Sequence, residues 1–252
     1  MKDRAGARPG SGIWRWLRGH LETAPLFGLA LFAGTILVFL TIAEEMREGE
    51  TATFDRTVLL AFRVAGNPSD PIGPPAMEEL MRDLTALGGT VTLTFLTVAV
   101  TGLVWLHGQR RSGLWLLGAV VGGQILSMLA KAGFDRPRPD LVPHGSIVET
   151  ASFPSGHSMM AAITYLTLAA MAGRTESRRI VRIYLVALAL LVTMAVGISR
   201  VYLGVHWPTD VIAGWAAGAG WALLCLWLAE QFALIGQRRR RRARPPGGSA
   251  AR

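Results

Sequence analysis

The sequence has few charged residues and almost no cysteine. Only 17% of its 252 residues are Asp, Glu, Lys or Arg, compared with about 25% in ordinary soluble domains. Apolar residues make up 51% of the chain, and the mean hydropathy is +0.36. This composition excludes an ordinary water-soluble globule. The one cysteine, Cys225, lies in an apolar run, which excludes a disulfide framework and a cysteine-based zinc cluster.

Six segments contain no Asp, Glu, Lys or Arg and are long enough to suggest membrane spans. A helix needs roughly 20 apolar residues to cross the bilayer core, and about 17 are tolerated. The first segment is followed by Glu44 and Glu45 rather than by a small-residue cleavage site, so it predicts a retained span. The predicted fold is an all-α, integral membrane six-helix bundle. Its spans are residues 25–43, 84–106, 112–130, 157–173, 183–199 and 211–229.

The positive charges indicate how the chain is oriented in the membrane. Lys and Arg are concentrated in the N-terminal tail, in the loops after the second and fourth spans, and in the C-terminal tail. With six spans, these four regions lie on one side, which the positive-inside rule makes cytoplasmic. We therefore predict a cytoplasmic tail with a short interfacial helix (1–24), a six-span domain (25–235) and a basic cytoplasmic tail (236–252).

The first external loop, residues 44–83, predicts two short helices on the membrane surface. Residues 57–64 and 76–84 have mixed apolar and charged faces, and prolines and glycines lie between them. No internal repeat and no second domain is evident.

The formal net charge of +9 and the arginine-rich C-terminal tail raise the alternative of a nucleic-acid patch. Charge runs beside a span more often orient that span and contact anionic head groups. We therefore expect the lipid bilayer as the partner, and no nucleic acid. The sequence leaves the oligomeric state open.

The polar residues that could carry chemistry are concentrated in residues 131–157 and 199–210, both on the predicted external side. The positive-inside rule gives cations no reason to lie on that side, and charges at such depth usually mark function. Three short motifs follow one another there: Lys131, six residues, Arg138-Pro139; Pro154-Ser155-Gly156-His157; and Ser199-Arg200, five residues, His206, three residues, Asp210.

The cations in these motifs suit a phosphate group. Phosphoryl transfer needs positioning and positive charge around the equatorial oxygens, which Lys131, Arg138 and Arg200 can supply. The alternative is that these cations only reach toward lipid head groups. For Arg136, which no motif fixes, both interpretations stay open.

The second motif stands where the fourth span begins. Free N–H groups at this helix N-terminus, where Ser155, Gly156 and His157 stand, are expected to face an anion, and Gly156 allows close backbone approach. Ser155 is also a suitable helix cap, and the two roles are compatible.

His206 and Asp210 form a nucleophile-like pair. Pro208 suits the first turn of a helix, which would bring Asp210 within reach of a histidine just outside it. A carboxylate bonded to one ring nitrogen fixes the tautomer and leaves the other nitrogen able to attack phosphorus. His20, His107 and His144 are expected to be structural or interfacial.

Together these motifs resemble those of the type 2 phosphatidic acid phosphatase superfamily, with no signature position substituted. The resemblance covers roughly residues 83–229, together with the segment 82–89, which is similar to one frequent in bacterial members. It implies that His206 is the nucleophile that forms a phosphohistidine and that Asp210 orients it. It also implies that His157 protonates the leaving group and then activates water.

The resemblance further implies a phosphorylated membrane lipid as substrate, such as phosphatidic acid, phosphatidylglycerophosphate or undecaprenyl pyrophosphate. The implied location is a bacterial inner membrane, with the active site on the periplasmic side. The sequence leaves the particular lipid open.

Metal catalysis is the rival mechanism for removing phosphate. The motif regions hold few carboxylates for magnesium or manganese, namely Asp135, Asp140, Glu149 and Asp210. We expect hydrolysis without metal or other cofactor.

Two other functions fit the same residues. A transporter or lipid-binding protein could use the cationic pocket without cleavage, although binding alone needs no nucleophile. Vanadate-dependent halide oxidation is the other, but the enzymes that carry it out are soluble and the six spans disfavour it.

Overall fold

The computed structural model describes residues 23–140 and 151–242. The predicted interfacial helix, His20 and His144 lie outside these residues. The described part contains eight helices and one two-stranded hairpin. In chain order they are α1 (Thr23–Glu48), α2 (Ala52–Ala61), β1 (Arg63–Val64), β2 (Asn67–Pro71), α3 (Pro75–Ala86), α4 (Thr90–Leu106), α5 (Arg110–Gly133), α6 (Gly156–Thr175), α7 (Arg179–Tyr202) and α8 (Pro208–Arg242).

Five of the six predicted spans each fall within one helix, and the second is divided between two, so the count of six spans is not confirmed. Four described helices, α1, α5, α7 and α8, are long and apolar enough to cross a membrane. The pair α3 and α4, bent by 46°, makes a fifth if it is taken as one span. Helix α6 is not among them. It lies between α5, α7 and α8, where protein shields it from lipid and polar residues in its sequence are tolerated.

The second predicted span, residues 84–106, is wrong as a single helix. Backbone N–H groups of Gly88 and Gly89 bond to Thr85 and Ala86 at 3.0 Å and end α3. Helix α4 begins one residue later, at Thr90. The run contains no charged residue, so hydropathy alone did not reveal the break between the two helices.

The first loop contains a helix in each predicted region and also a hairpin that was not predicted. Helix α2 begins and ends earlier than the segment 57–64, and α3 covers the segment 76–84. Between them, β1 and β2 pair antiparallel, with Arg63 opposite Pro71. The prediction of an all-α chain is therefore wrong for this short hairpin.

Helices α6 and α8 pack closely because glycines of α8 face the α6 backbone. A Cβ atom on Gly218 would lie 2.5 Å from the carbonyl oxygen of Met159, and one on Gly214 would lie 2.7 Å from that of Ser155. Small residues at such positions let membrane helices approach. The contact continues to the helix ends, where the Ser155 N–H donates to the Asp210 carbonyl at 2.9 Å.

The outer faces of several helices expose large apolar side chains. Leu29 of α1, Phe95 of α4, Leu129 of α5 and Leu191 of α7 are each more than half exposed. Isolated exposed apolar residues are ordinary, but a continuous apolar surface marks contact with lipid or another apolar partner. This surface and the long apolar helices are those of a multi-pass membrane protein.

Candidate active site

The structure brings the residues of the three motifs to one end of the bundle. Lys131 lies in the last turn of α5, and Arg138 follows in the next segment. Ser155 precedes α6, which begins with Gly156 and His157. The remaining residues come from the junction of the last two helices: Arg200 in the last turn of α7, His206 in the turn, and Asp210 in the first turn of α8.

His206 is held at Nδ1 by two groups. Nδ1 lies 3.4 Å from Oδ2 of Asp210 and 3.3 Å from Oγ of Ser152. Ser152 donates to Asp210 Oδ2 at 2.5 Å, so its oxygen can accept the imidazole proton. The backbone N–H of Trp207 also donates to this carboxylate oxygen, at 3.0 Å. These contacts favour the tautomer with the proton on Nδ1.

The other imidazole nitrogen faces a cation. Arg138 Nη1 lies 3.3 Å from Nε2 of His206 and donates to the Val205 carbonyl at 2.8 Å. Burial lowers the pKa of His206 to about 4, although Asp210 acts in the opposite direction. The ring is therefore neutral near pH 7, and the Nε2 lone pair is directed toward Arg138.

The other two predicted cations lie close enough to affect the same site. Lys131 Nζ donates to the Ala151 carbonyl at 3.2 Å, and a Cβ on Gly156 would lie 3.8 Å from that nitrogen. Arg200 Nη1 donates to Oγ1 of Thr85 at 3.0 Å. Lys131, Arg138 and Arg200 all lie close enough to His157 for their positive charges to affect its ring electrostatically.

Ser155, which immediately precedes α6, already has hydrogen-bond partners within the protein. Ser155 is fully buried; its N–H is bonded to Asp210, and its Oγ accepts from Ser158 at 2.9 Å. Its side chain makes no capping bond, so the expected cap is not formed. The first N–H groups of an α-helix lack intrahelical partners. The N–H groups of Gly156 and His157 can therefore donate to an anion, whereas the N–H group of Ser155 is already bonded to the Asp210 carbonyl.

The segment 82–89 contributes two contacts whose roles the sequence did not assign. Thr85 binds Arg200, as described above. A Cβ on Gly88 would lie 2.4 Å from Val196 Cγ1 and 3.2 Å from the His157 carbonyl oxygen. The bend between α3 and α4 therefore packs directly against the backbone of His157.

Arg136 has neither of the roles considered from the sequence. Its Nη1 donates to Asp210 Oδ1 and its Nη2 to Asp55 Oδ2, both at 2.6 Å. Thr209 and Thr51 accept further bonds at 2.8 and 3.2 Å. The side chain is 10% exposed, so it does not extend to head groups, and its two terminal nitrogens are bonded to protein groups. Asp55 and Ser152 were not anticipated because no motif includes them, and Thr209 occupies one of the three unspecified positions between His206 and Asp210.

Two further features bear on the expected chemistry. Among residues 23–140 and 151–242, no three His, Cys, Asp or Glu side chains form a group that could hold a metal ion. His107 ends α4, where its Nδ1 lies 2.8 Å from the Leu103 carbonyl oxygen of the same helix.

Comparison with known proteins identifies relatives of this chain. Residues 112–233 match the PAP2 superfamily. Phosphatidylglycerophosphatase B of Bacillus subtilis (strain 168) is 34% identical over 168 residues, 64% of this chain and 77% of that protein. Decaprenylphosphoryl-5-phosphoribose phosphatase of Mycobacterium tuberculosis (strain ATCC 25618 / H37Rv) is 31% identical over 185 residues, 71% of this chain and 89% of that protein.

A solved structure is similar as well. The crystal structure of a transmembrane PAP2 type phosphatidylglycerolphosphate phosphatase from Bacillus subtilis has a TM-score of 0.66 and 27% sequence identity, and the match covers 81% of this chain and 96% of that one. The chain, like these relatives, is a phosphoric ester hydrolase of the membrane. It belongs to the PAP2 superfamily.

Proposed function

We propose that the chain hydrolyses a lipid phosphate monoester or diphosphate through a phosphohistidine at His206, without a metal ion. One observation carries the proposal: Nδ1 of the buried His206 faces Asp210 and Ser152, while Nε2 faces Arg138. A histidine oriented in this way has a nucleophilic nitrogen directed at a cation that can hold a phosphate oxygen.

In the first step, Nε2 of His206 attacks phosphorus and the bond from phosphorus to the lipid oxygen breaks. His157, protonated when the anionic phosphate group is bound among the three cations, gives its proton to the departing oxygen. Lys131, Arg138 and Arg200, with the N–H groups at the start of α6, stabilise the charge on the equatorial oxygens. The phosphorylated ring is cationic, and Asp210 stabilises it through Nδ1–H.

In the second step, His157 takes a proton from water, and the water oxygen attacks phosphorus. The bond from phosphorus to Nε2 breaks, and inorganic phosphate leaves. The electron pair of that bond returns to Nε2, so His206 is again neutral with its proton on Nδ1. No step uses a metal ion, since the three cationic side chains supply the positive charge that a metal would otherwise provide.

We propose phosphatidic acid, phosphatidylglycerophosphate and undecaprenyl pyrophosphate as the substrates to test first. Each combines a phosphate head group with apolar tails. The site lies at one end of the bundle and apolar side chains cover the outer faces of its helices. A lipid can therefore present its head group to the site while its tails stay in the bilayer.

We further propose that six spans place the site on the periplasmic face of a bacterial inner membrane, with both termini cytoplasmic. The Arg distribution supports this orientation. A single cysteine introduced by His144→Cys or Arg178→Cys into a Cys225→Ala background would test it in intact spheroplasts. We expect an impermeant thiol reagent to label residue 144 and not residue 178. The reverse pattern would contradict the topology.

The experiment for the activity measures phosphate released from the three lipids by the purified protein in detergent. Release that persists with EDTA and stops with orthovanadate is expected, because vanadate adopts the five-coordinate geometry of phosphorus under attack. Loss of activity on chelation and recovery with magnesium would contradict the metal-free mechanism. Binding of all three lipids without release would favour the alternative, a non-catalytic phospholipid-binding or transport protein.

A further inference from the structure

A buried charge network connects the first-loop helix α2 with the active site. Arg136 bridges two carboxylates: Nη1 binds Oδ1 of Asp210, and Nη2 binds Oδ2 of Asp55, both at 2.6 Å. Both carboxylates are at least 99% buried. Asp55 belongs to α2 and Asp210 to α8, so the bridge joins elements that are far apart in the sequence.

Asp55 also binds the first turn of α8 directly. Its Oδ1 accepts the backbone N–H of Thr209 at 2.9 Å, and its Oδ2 accepts the Thr209 hydroxyl at 2.7 Å. Thr209 is the second residue of the helix, where N–H groups lack intrahelical partners and a negative charge is favourable. Asp55 thus supplies from another helix the cap that the start of α8 needs.

These bonds assign a separate task to each oxygen of Asp210. Oδ1 is held by Arg136, which Asp55 and two threonine hydroxyls hold in turn. Oδ2 faces Ser152, the Trp207 N–H and His206. Rotation of the carboxylate would break the bond to Arg136. The position of Oδ2 beside the histidine therefore depends on Asp55 and Arg136.

We propose that Asp55 is a positioning residue for the reaction, acting through Arg136 and Asp210 to keep the proton of His206 on Nδ1. The inference rests on the proposed role of His206 as nucleophile. It makes α2 a support for the active site and not only a surface helix of the loop. Neither Asp55 nor Arg136 is expected to touch the substrate.

The first test compares Asp55→Asn with Asp70→Asn, the same chemical change at an exposed position of the same loop. We expect Asp55→Asn to lower kcat on p-nitrophenyl phosphate by about 10- to 100-fold, the range typical of residues that orient a reacting group's partner, with KM within about twofold. Asp70→Asn should keep both constants. Equal kcat for Asp55→Asn and the wild type would overturn the proposal.

A second measurement distinguishes a positioning role of Asp55 from a role in the stability of the fold alone. In protein with nitrogen-labelled histidine, NMR shifts report which ring nitrogen carries the proton, and His206→Gln identifies the His206 signal among five histidines. The wild type and Asp70→Asn should show the Nδ1–H form, and Asp55→Asn a mixture of tautomers. A purely structural role would reduce the folded fraction without changing the tautomer of folded protein, and that result would overturn the proposal.

Removal of a buried charge can prevent folding, so Arg136→Lys provides a second variant. Lysine keeps the positive charge but lacks the planar fork that bridges two carboxylates. It should show the same loss of kcat and the same tautomer mixture, and wild-type behaviour would overturn the proposal. The tautomer measurement needs no substrate. A wild-type protein that releases no phosphate would therefore contradict the proposed function while the positioning role is still tested.

Discussion

Ser152 donates a 2.5 Å hydrogen bond to Asp210, and its oxygen is also slightly nearer to the His206 ring than the carboxylate is. The distances to Nδ1 are 3.3 Å from Ser152 Oγ and 3.4 Å from Asp210 Oδ2. His206 and Asp210 are thus connected both directly and through a fully buried hydroxyl group.

Replacement of this hydroxyl should weaken catalysis less than loss of the carboxylate. In Ser152→Ala, Asp210 keeps its bonds to Arg136 and to the Trp207 N–H. We therefore expect kcat to fall by about 10-fold, which corresponds to the free energy of one ordinary hydrogen bond. Asp210→Asn should cost about 10⁴-fold, as a wrong tautomer does in a serine protease triad. Steady-state kinetics would measure both, with the exposed Ser69→Ala as control. Full activity in Ser152→Ala would contradict the connection through the hydroxyl.

The glycine contact between α6 and α8 should be sensitive to a single methyl group. Gly218→Ala would place Cβ 2.5 Å from a backbone oxygen, and overpacking typically destabilises by about 1–3 kcal/mol. Gly118→Ala is the matched control, since its Cβ would meet nothing within 4 Å. Alanine's helix propensity should leave that variant as stable as wild type or slightly more stable. Thermal unfolding in detergent would compare them, and equal midpoints would contradict the close packing.

The lowered pKa of His206 predicts a stability that falls in acid. The folded pKa is about 4 and the unfolded value about 6.5, so between these values the unfolded chain binds the additional proton. Stability should therefore decrease as pH falls from 6.5 to 4, by on the order of 3 kcal/mol from this group. Denaturation of the wild type and His206→Gln across this range would reveal the difference. Parallel pH dependences would contradict a buried neutral histidine.

His157 should matter most when the leaving group is a strong base. A lipid alkoxide must be protonated as it departs, whereas p-nitrophenolate leaves without help. General acid catalysis contributes about 100- to 10,000-fold, so His157→Ala should lose much of this factor on a lipid monoester and distinctly less on p-nitrophenyl phosphate. Single-turnover release of the first product isolates this step. Equal losses on both substrates would refute the assignment of His157 as the acid.

The sequence predicted which residues meet at the candidate site, because each lies in a short motif whose spacing carries chemical meaning. His157, His206 and Asp210 do lie at one end of the bundle, as the motifs indicated. Their supporting partners could not be read in the same way. Asp55 is 81 residues from Arg136, and the two side chains meet only because α2 and the segment after α5 both contact the start of α8.

The errors in the predicted fold have equally local causes. Hydropathy does not register a bend inside an apolar run, so the break at Gly88 and Gly89 was missed although the glycine pair is visible in the sequence. The short hairpin at Arg63–Val64 and Asn67–Pro71 carries two prolines in its second strand. Proline is depleted in strands, which made this segment resemble an irregular loop.

The measurement that tests the central claim most directly is the chemical trapping of the phosphoenzyme. Protein mixed with phosphorus-labelled substrate and quenched in alkali should retain label, since a bond from phosphorus to imidazole nitrogen survives base and is lost in acid. Peptide mapping should place the label on His206. His206→Ala should retain none and release no phosphate from any lipid. Label on another residue, or lipid hydrolysis that survives in His206→Ala, would contradict the phosphohistidine mechanism.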